Sequence, residues 1–184
     1  MSSTGSPARS SRHDSRDVYC IPAVCVSAYT PYSCDVITVP IQMPDGTTVP
    51  VALFESEEPR SDVPVIVVFP GLGIPAGYYQ LLAKSLNVSG FHVAVAELRG
   101  QGDSRPRPSS ASTYGYHELV SVDFPAIFEV VRENFPDATP YILGHSMGGQ
   151  LASLYAARIR GRLGGLILVA SGSPYHRGVG VARG

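Results

Sequence analysis

The chain has 184 residues, 44% of them hydrophobic and 16% charged, with a formal net charge of −1 and a sequence pI near 6.5. This is long enough for one domain with a sizeable core, and the composition excludes disorder throughout. Near-neutral charge with scattered arginines gives nucleic acid and anionic membranes no electrostatic footing as partners.

Residues 1–34 are expected to form a poorly ordered leader. Met1–Arg16 (MSSTGSPARSSRHDSR) is rich in Ser and Arg and has no apolar period to pack. Cys20, Cys25 and Cys34 are the only cysteines, odd in number and without a CxxC pair or a nearby histidine cluster. They give no zinc pattern. The short run VYCIPAVCVSA contains Pro22 and follows Asp14 and Asp17, a poor match to a secretory signal, so a cytoplasmic protein is expected. No segment has the roughly 18 apolar residues that a membrane span needs.

From Asp35 the pattern is that of a folded domain, expected to run over residues 35–184. DVITVPIQM, the turn Pro44-Asp45-Gly46 and TTVPVALFE predict a two-stranded hairpin. Val63–Phe69 (VPVIVVF) is a β-branched run of the kind buried on both faces of a parallel sheet. The loop PGLGIPAG leads to YYQLLAKSLNVSG, which has helical spacing and stops at Gly90. FHVAVAEL predicts a strand, RGQGDSRPRP a loop, and residues 116–134 a long helix with Pro125 as a kink or restart. Thr139–Leu143 predicts a strand, Met147–Ile159 a helix and Gly165–Ala170 (GLILVA) a further buried strand. Strands alternating with helices in this way predict an α/β fold, mostly parallel, with helices on both faces.

Within LGHSMGG, Ser146 stands where a buried strand passes into a helix, flanked by Gly144 and Gly148. A GxSxG match alone also fits a glycine-rich turn with Ser146 as an N-cap. Its place here suits a nucleophile elbow. A serine on so sharp a turn is held in strained backbone, and only small flanking residues let the neighbouring chain pass. Pro70-Gly71-Leu72-Gly73 follows the preceding central strand, where a second N–H donor to an oxyanion has to come from.

On FPGLGIPAGYYQLLAKSL, ELRGQGDS and LGHSMGGQLA, in that order and spacing, the chain resembles the α/β-hydrolase superfamily. Within it, the chain is most similar to the monoacylglycerol lipase, lysophospholipase and serine aminopeptidase-like hydrolases. The resemblance covers about residues 35–174. It implies an α/β-hydrolase fold with Ser146 as the nucleophile and the N–H groups of Leu72 and Met147 as the oxyanion hole. It also implies a small ester or lipid-like substrate and no metal or organic cofactor. Many relatives have His-Gly where this chain has Pro70-Gly71, a change that bears on loop shape.

The family order is Ser, then Asp or Glu, then His. After Ser146 the sequence holds one histidine, His176, and no Asp or Glu. His145 adjoins the nucleophile and is expected to pack elsewhere. His13 belongs to the leader, His92 opens a strand, and His117 starts the long helix facing solvent. Asp103 is expected to be a structural loop residue, and Asp123 and Asp137 helix-surface or turn residues. The sequence therefore predicts a serine hydrolase acting on carboxylic esters, incomplete at its C-terminus, which lacks the acid and base and has little turnover. An acyltransferase or peptidase of the same fold and a non-catalytic binding module are the alternatives.

Overall fold

The computed structural model describes residues 36–57, 62–159 and 161–172. The leader, the three cysteines, His13 and His176 lie outside these residues.

Strands β1 (Val36–Gln42) and β2 (Thr48–Phe54) form the expected antiparallel hairpin. Its turn is held by Asp45, whose Oδ1 accepts from Thr47 N–H at 2.9 Å, and by Gly46 at φ +82°. Pro40 and Pro50 stand opposite one another in the ladder. Neither proline has an N–H to donate, so facing them confines the missing donors to one rung near the sheet edge.

β3 (Val65–Phe69) is buried at all five positions, as the β-branched run predicts. A 3₁₀ turn (Ala76–Tyr79) leads into α1 (Gln80–Val88), which ends before Gly90 at φ +89°. β4 (His92–Ala96) follows. The predicted long helix is three pieces: α2 (Tyr116–Glu118), a π-helical turn (Leu119–Asp123) and α3 (Phe124–Asn134), with Pro125 in the first turn of α3. Pro125 is thus a restart, since a proline lacking N–H is tolerated only where no intrahelical bond is required of it. β5 (Pro140–His145), α4 (Met147–Ile159) and β6 (Gly165–Val169) complete the order.

The sheet runs β1-β2-β4-β3-β5-β6, antiparallel through β2–β4 and parallel from β4 to β6. Because strand side chains alternate faces, β3 feeds two separate cores. Val65, Val67 and Phe69 pack with Phe124, Ile127 and Val131 of α3 and Leu151, Ala152 and Tyr155 of α4. Ile66 and Val68 pack with Tyr79 and Ala83 on the other face. The Phe69 ring stacks on Phe124 with centroids 3.9 Å apart.

Two expectations need correction. GLILVA is a strand but not a buried one: Leu166, Ile167, Leu168 and Val169 are all exposed, because β6 is the sheet edge and, among the described residues, pairs only with β5. Asp123 is not on a helix surface. It is buried beneath the loop after β4, where Arg99 Nε donates to its Oδ2 at 3.1 Å and Arg99 Nη2 bonds its Oδ1. The side chains of Arg99 and Asp123 are only 4% and 1% exposed. Arg99 also bonds Asp45 at 2.6 Å and lies over the Tyr114 ring. One guanidinium therefore ties the hairpin turn to the loop and the π-helical turn. Burial pushes the Asp123 carboxyl up from its ordinary range, against the pull of Arg99.

Among the described residues, no helix is long and apolar enough to cross a membrane.

Phe124 is fully buried between Phe69 and Tyr155, so Phe124→Ala is expected to cost about 3–5 kcal/mol in denaturant unfolding. A loss below about 1 kcal/mol would show that this face of the sheet does not depend on the stack.

His92 accepts from Ser56 N–H at 3.1 Å and stacks on Phe135. Burial lowers its pKa from the ordinary 6.5, with Glu55 acting weakly in the opposite sense. The unfolded chain then binds the proton more readily, so this part of the stability is present above about pH 6.5 and is lost as pH falls through that value. His92→Gln is expected to lose less stability than the parent between about pH 7 and 5.5. Identical losses in urea titrations at the two pH values would contradict it.

Candidate active site

β5 ends at His145 and α4 begins at Met147, leaving Ser146 as the single residue of the turn, at φ +50°. That left-handed conformation is costly for a residue with a Cβ and persists only where the surroundings fix it. Ser146 N–H donates to Val169 O at 2.9 Å, and Ser146 O accepts from Gly149 N–H at 3.1 Å and Gln150 N–H at 3.2 Å. One face of the turn is thus tied to β6, and its carbonyl already starts the helix.

The flanking glycines are required by contact. A Cβ on Gly144 would overlap Gly149 Cα, and one on Gly148 would overlap Phe69 O and lie 2.6 Å from Pro70 O. α4 therefore begins with its backbone against the end of β3. Its first N–H groups, starting with Met147, have no intrahelical acceptor, and the helix dipole adds positive potential there.

The loop after β3 meets the turn at Gly71, where a Cβ would lie 3.3 Å from Ser146 Cβ and 3.1 Å from His145 Nδ1. Leu72 follows with its side chain exposed. Among the described residues no acceptor is bonded to Leu72 N–H, although its neighbours are engaged. Gly71 N–H donates to Tyr79 Oη at 3.1 Å, and Gly73 N–H to Gln101 Oε1 at 2.9 Å. The structure thus brings Ser146, the N-terminal residue of α4 and the Leu72 loop together at the carboxyl edge of β3 and β5.

The remaining candidates are placed as follows. His145 turns to Tyr79, its Nδ1 2.7 Å from the hydroxyl, as a packing role predicts. Burial raises the Tyr79 hydroxyl pKa, with the Gly71 N–H working against it, so the phenol stays protonated. His92 opens β4, at the opposite end of the parallel strands from Ser146. The His117 side chain is 73% exposed. Asp103 is a loop residue whose N–H donates to Glu97 Oε2 at 3.2 Å, and Asp137 is exposed.

Sequence reasoning passed over Glu97, which is 1% exposed. Its carboxylate also accepts from Ala76 N–H at 3.0 Å and Leu98 N–H at 3.2 Å, stapling the loop after β3 to the loop after β4. The signal was there, a carboxylate set between the apolar run VAVA and Leu98, since such a group is buried only when its lone pairs are filled. Tyr79 and Gln101 were also missed, and each looks like an ordinary helix or loop residue in sequence.

A hairpin followed by parallel strands in the order β4-β3-β5-β6, with a strained serine turn after β5, defines the α/β-hydrolase class. The family model described as serine aminopeptidase, S33, matches residues 60–182, and the chain belongs to that family. It is 29% identical over 115 residues to the monoacylglycerol lipase of Mycolicibacterium smegmatis, a match covering 62% of this chain and 40% of that protein. The human monoglyceride lipase is 30% identical over 106 residues, covering 58% of this chain and 34% of that lipase. The solved structure of a highly thermostable carboxyl esterase from Bacillus coagulans, in complex with glycerol, aligns with a TM-score of 0.61 at 26% identity. That alignment covers 72% of this chain and 43% of the esterase. The chain thus spans less than half the length of each of these relatives.

Gly148→Ala places a methyl group against two main-chain carbonyls that cannot rotate away, and is expected to cost about 1–3 kcal/mol. Ser146→Ala removes one hydroxyl and is expected to change stability by less than about 0.5 kcal/mol. Equal unfolding midpoints for the two variants would refute the contact argument.

Proposed function

We propose that the protein is a serine hydrolase acting on carboxylic esters through an acyl-enzyme on Ser146. The observation that carries this is the convergence of a left-handed Ser146, the N-terminus of α4 and the Leu72 loop on one point of the sheet edge. Ser146 Oγ attacks the ester carbonyl carbon, forming the C–O bond while the carbonyl electron pair moves onto oxygen. The N–H groups of Leu72 and Met147 stabilise that oxyanion. Its collapse expels the alcohol, which takes up the serine proton; water then attacks the acyl carbon, the bond to Oγ breaks, a water proton returns to Ser146 Oγ and the acid is released. No metal or organic cofactor enters these steps.

The substrate class proposed is a small or lipid-like ester, in keeping with the names of the lipases and esterase matched. The family description makes a peptide bond the alternative target. A general base is still required, since a serine hydroxyl is a weak nucleophile without one. Among the described residues none is bonded to Ser146, so the proposal assigns base and acid to residues outside them.

The test is labelling of the folded full-length gene product with a fluorophosphonate, followed by peptide mapping. Covalent modification of Ser146 that disappears in Ser146→Ala is the expected outcome. No modification of protein shown to be folded by circular dichroism would instead favour a non-catalytic binding module.

A further inference from the structure

The peptide joining Gly71 to Leu72 carries the Gly71 carbonyl and the Leu72 N–H, which point in opposite directions across a planar trans bond. Whatever holds the carbonyl therefore aims the N–H. The group holding it is the carboxamide of Gln101, from the loop after β4. Gln101 Nε2 donates to Gly71 O at 3.1 Å and to Ile74 O at 3.4 Å, and Gln101 Oε1 accepts from Gly73 N–H at 2.9 Å. Both ends of one side-chain amide are used, and the three main-chain groups they bind bracket Leu72.

The loop needs such a hold. Gly73 has φ +74° and no side chain to restrain it, and the Leu72 side chain is exposed and packs nothing down. The internal bond from Ile74 N–H to Gly71 O, at 3.1 Å, closes the turn but does not anchor it to the rest of the domain. Anchorage next to Leu72 comes from Gln101 and from Tyr79 through Gly71 N–H, and further along the loop from Glu97 through Ala76 N–H. Gln101 is itself fixed. Its N–H donates to Leu98 O at 3.2 Å, and its loop is pinned by Glu97 on one side and by the buried Arg99 on the other.

We propose that Gln101 is a positioning residue for the hydrolase reaction, its carboxamide setting the direction of the Leu72 N–H toward the oxyanion. The assignment rests on the roles proposed above for Ser146 and Leu72. A preorganised donor is worth far more than a mobile one, because it needs no reorientation as charge develops. Loss of the clamp should therefore slow reaction at Ser146 without unfolding a domain whose core lies elsewhere.

The experiment uses the full-length gene product as parent, Gln101→Met and Gln101→Glu. Methionine keeps the side-chain length and removes both polar ends. Glutamate keeps the acceptor for Gly73 N–H but sets a carboxylate oxygen against Gly71 O. The readouts are amide hydrogen exchange at Gly73, the rate constant for fluorophosphonate modification of Ser146, and the melting temperature.

In Gln101→Met, Gly73 is expected to exchange and Ser146 to react with changes of about tenfold or more, faster and slower respectively, at a nearly unchanged melting temperature. In Gln101→Glu, protection of Gly73 should return while the slow modification persists. A merely structural role would instead move reactivity and melting temperature together in both variants. A parent that labels at Ser146 as fast as Gln101→Met or Gln101→Glu overturns the inference while leaving the nucleophile assignment intact. A parent that never labels at Ser146 overturns that assignment and the role of the clamp with it, whatever the exchange shows.

Discussion

The constraint on which the site depends is the approach of α4 to the end of β3, backbone against backbone. Gly148 lies so close to the carbonyls of Phe69 and Pro70 that a single methyl group would collide with both. Since α4 begins one residue after β5 ends, this approach fixes where the helix can start. Ser146 is then forced into a left-handed conformation to join the two elements. The strain is localised, of the order of 1–3 kcal/mol, and is offset by bonds at both of its backbone ends. The glycine spacing that marks the motif in sequence is thus the footprint of a packing requirement, and the serine geometry follows from it.

The same approach brings the two halves of the candidate oxyanion site together. The carbonyls that press on Gly148 belong to Phe69 and Pro70, the residues leading into Gly71 and Leu72, so elbow and loop share one anchor point. Tyr79 adds a second link, bonded on one side to Gly71 and on the other to His145. Below the loops, charges are used differently. Glu97 and the Asp45–Arg99–Asp123 group hold three loop segments by saturating buried charge with main-chain N–H groups and a paired guanidinium. Breaking such a group leaves an uncompensated buried charge, which is costly, so the loops carrying Gln101 are built on a rigid base.

The strands and helices were legible because each is specified by its own residues. The period of two in β2, the β-branched run of β3 and the helical spacing of α1 and α4 require no partner to be recognised. Ser146 and the Leu72 loop were legible through glycines that mark close approach. What escaped was everything decided by three-dimensional neighbours. Asp123 sits in a segment with a polar-looking face, and only Arg99, 24 positions earlier, makes its burial tolerable. The π-helical turn before Pro125 has no sequence period of its own. GLILVA reads as a buried strand by composition, but burial is a property of what lies beside it, and among the described residues β6 pairs only with β5. Tyr79 and Gln101 were invisible because a hydroxyl and a carboxamide are common surface groups until two loops close around them.

Division of labour within the site bears on how its chemistry should be understood. An oxyanion hole is made of backbone, so it is assembled as soon as the sheet edge and its first loops are in place. A general base must be a side chain brought into line with Ser146 from another segment, and His145 cannot fill that role from its bond to Tyr79. The two contributions are energetically separable. Catalytic groups that act on the proton work as a unit with the nucleophile, whereas oxyanion stabilisation retains rate enhancement when that unit is broken. In the proposed reading, the described residues supply the backbone groups assigned to charge stabilisation, with Ser146 held on the turn beside them. On that reading, the reactivity of Ser146 depends on where its proton goes, and the proposal places the accepting group outside the β3–β5 edge.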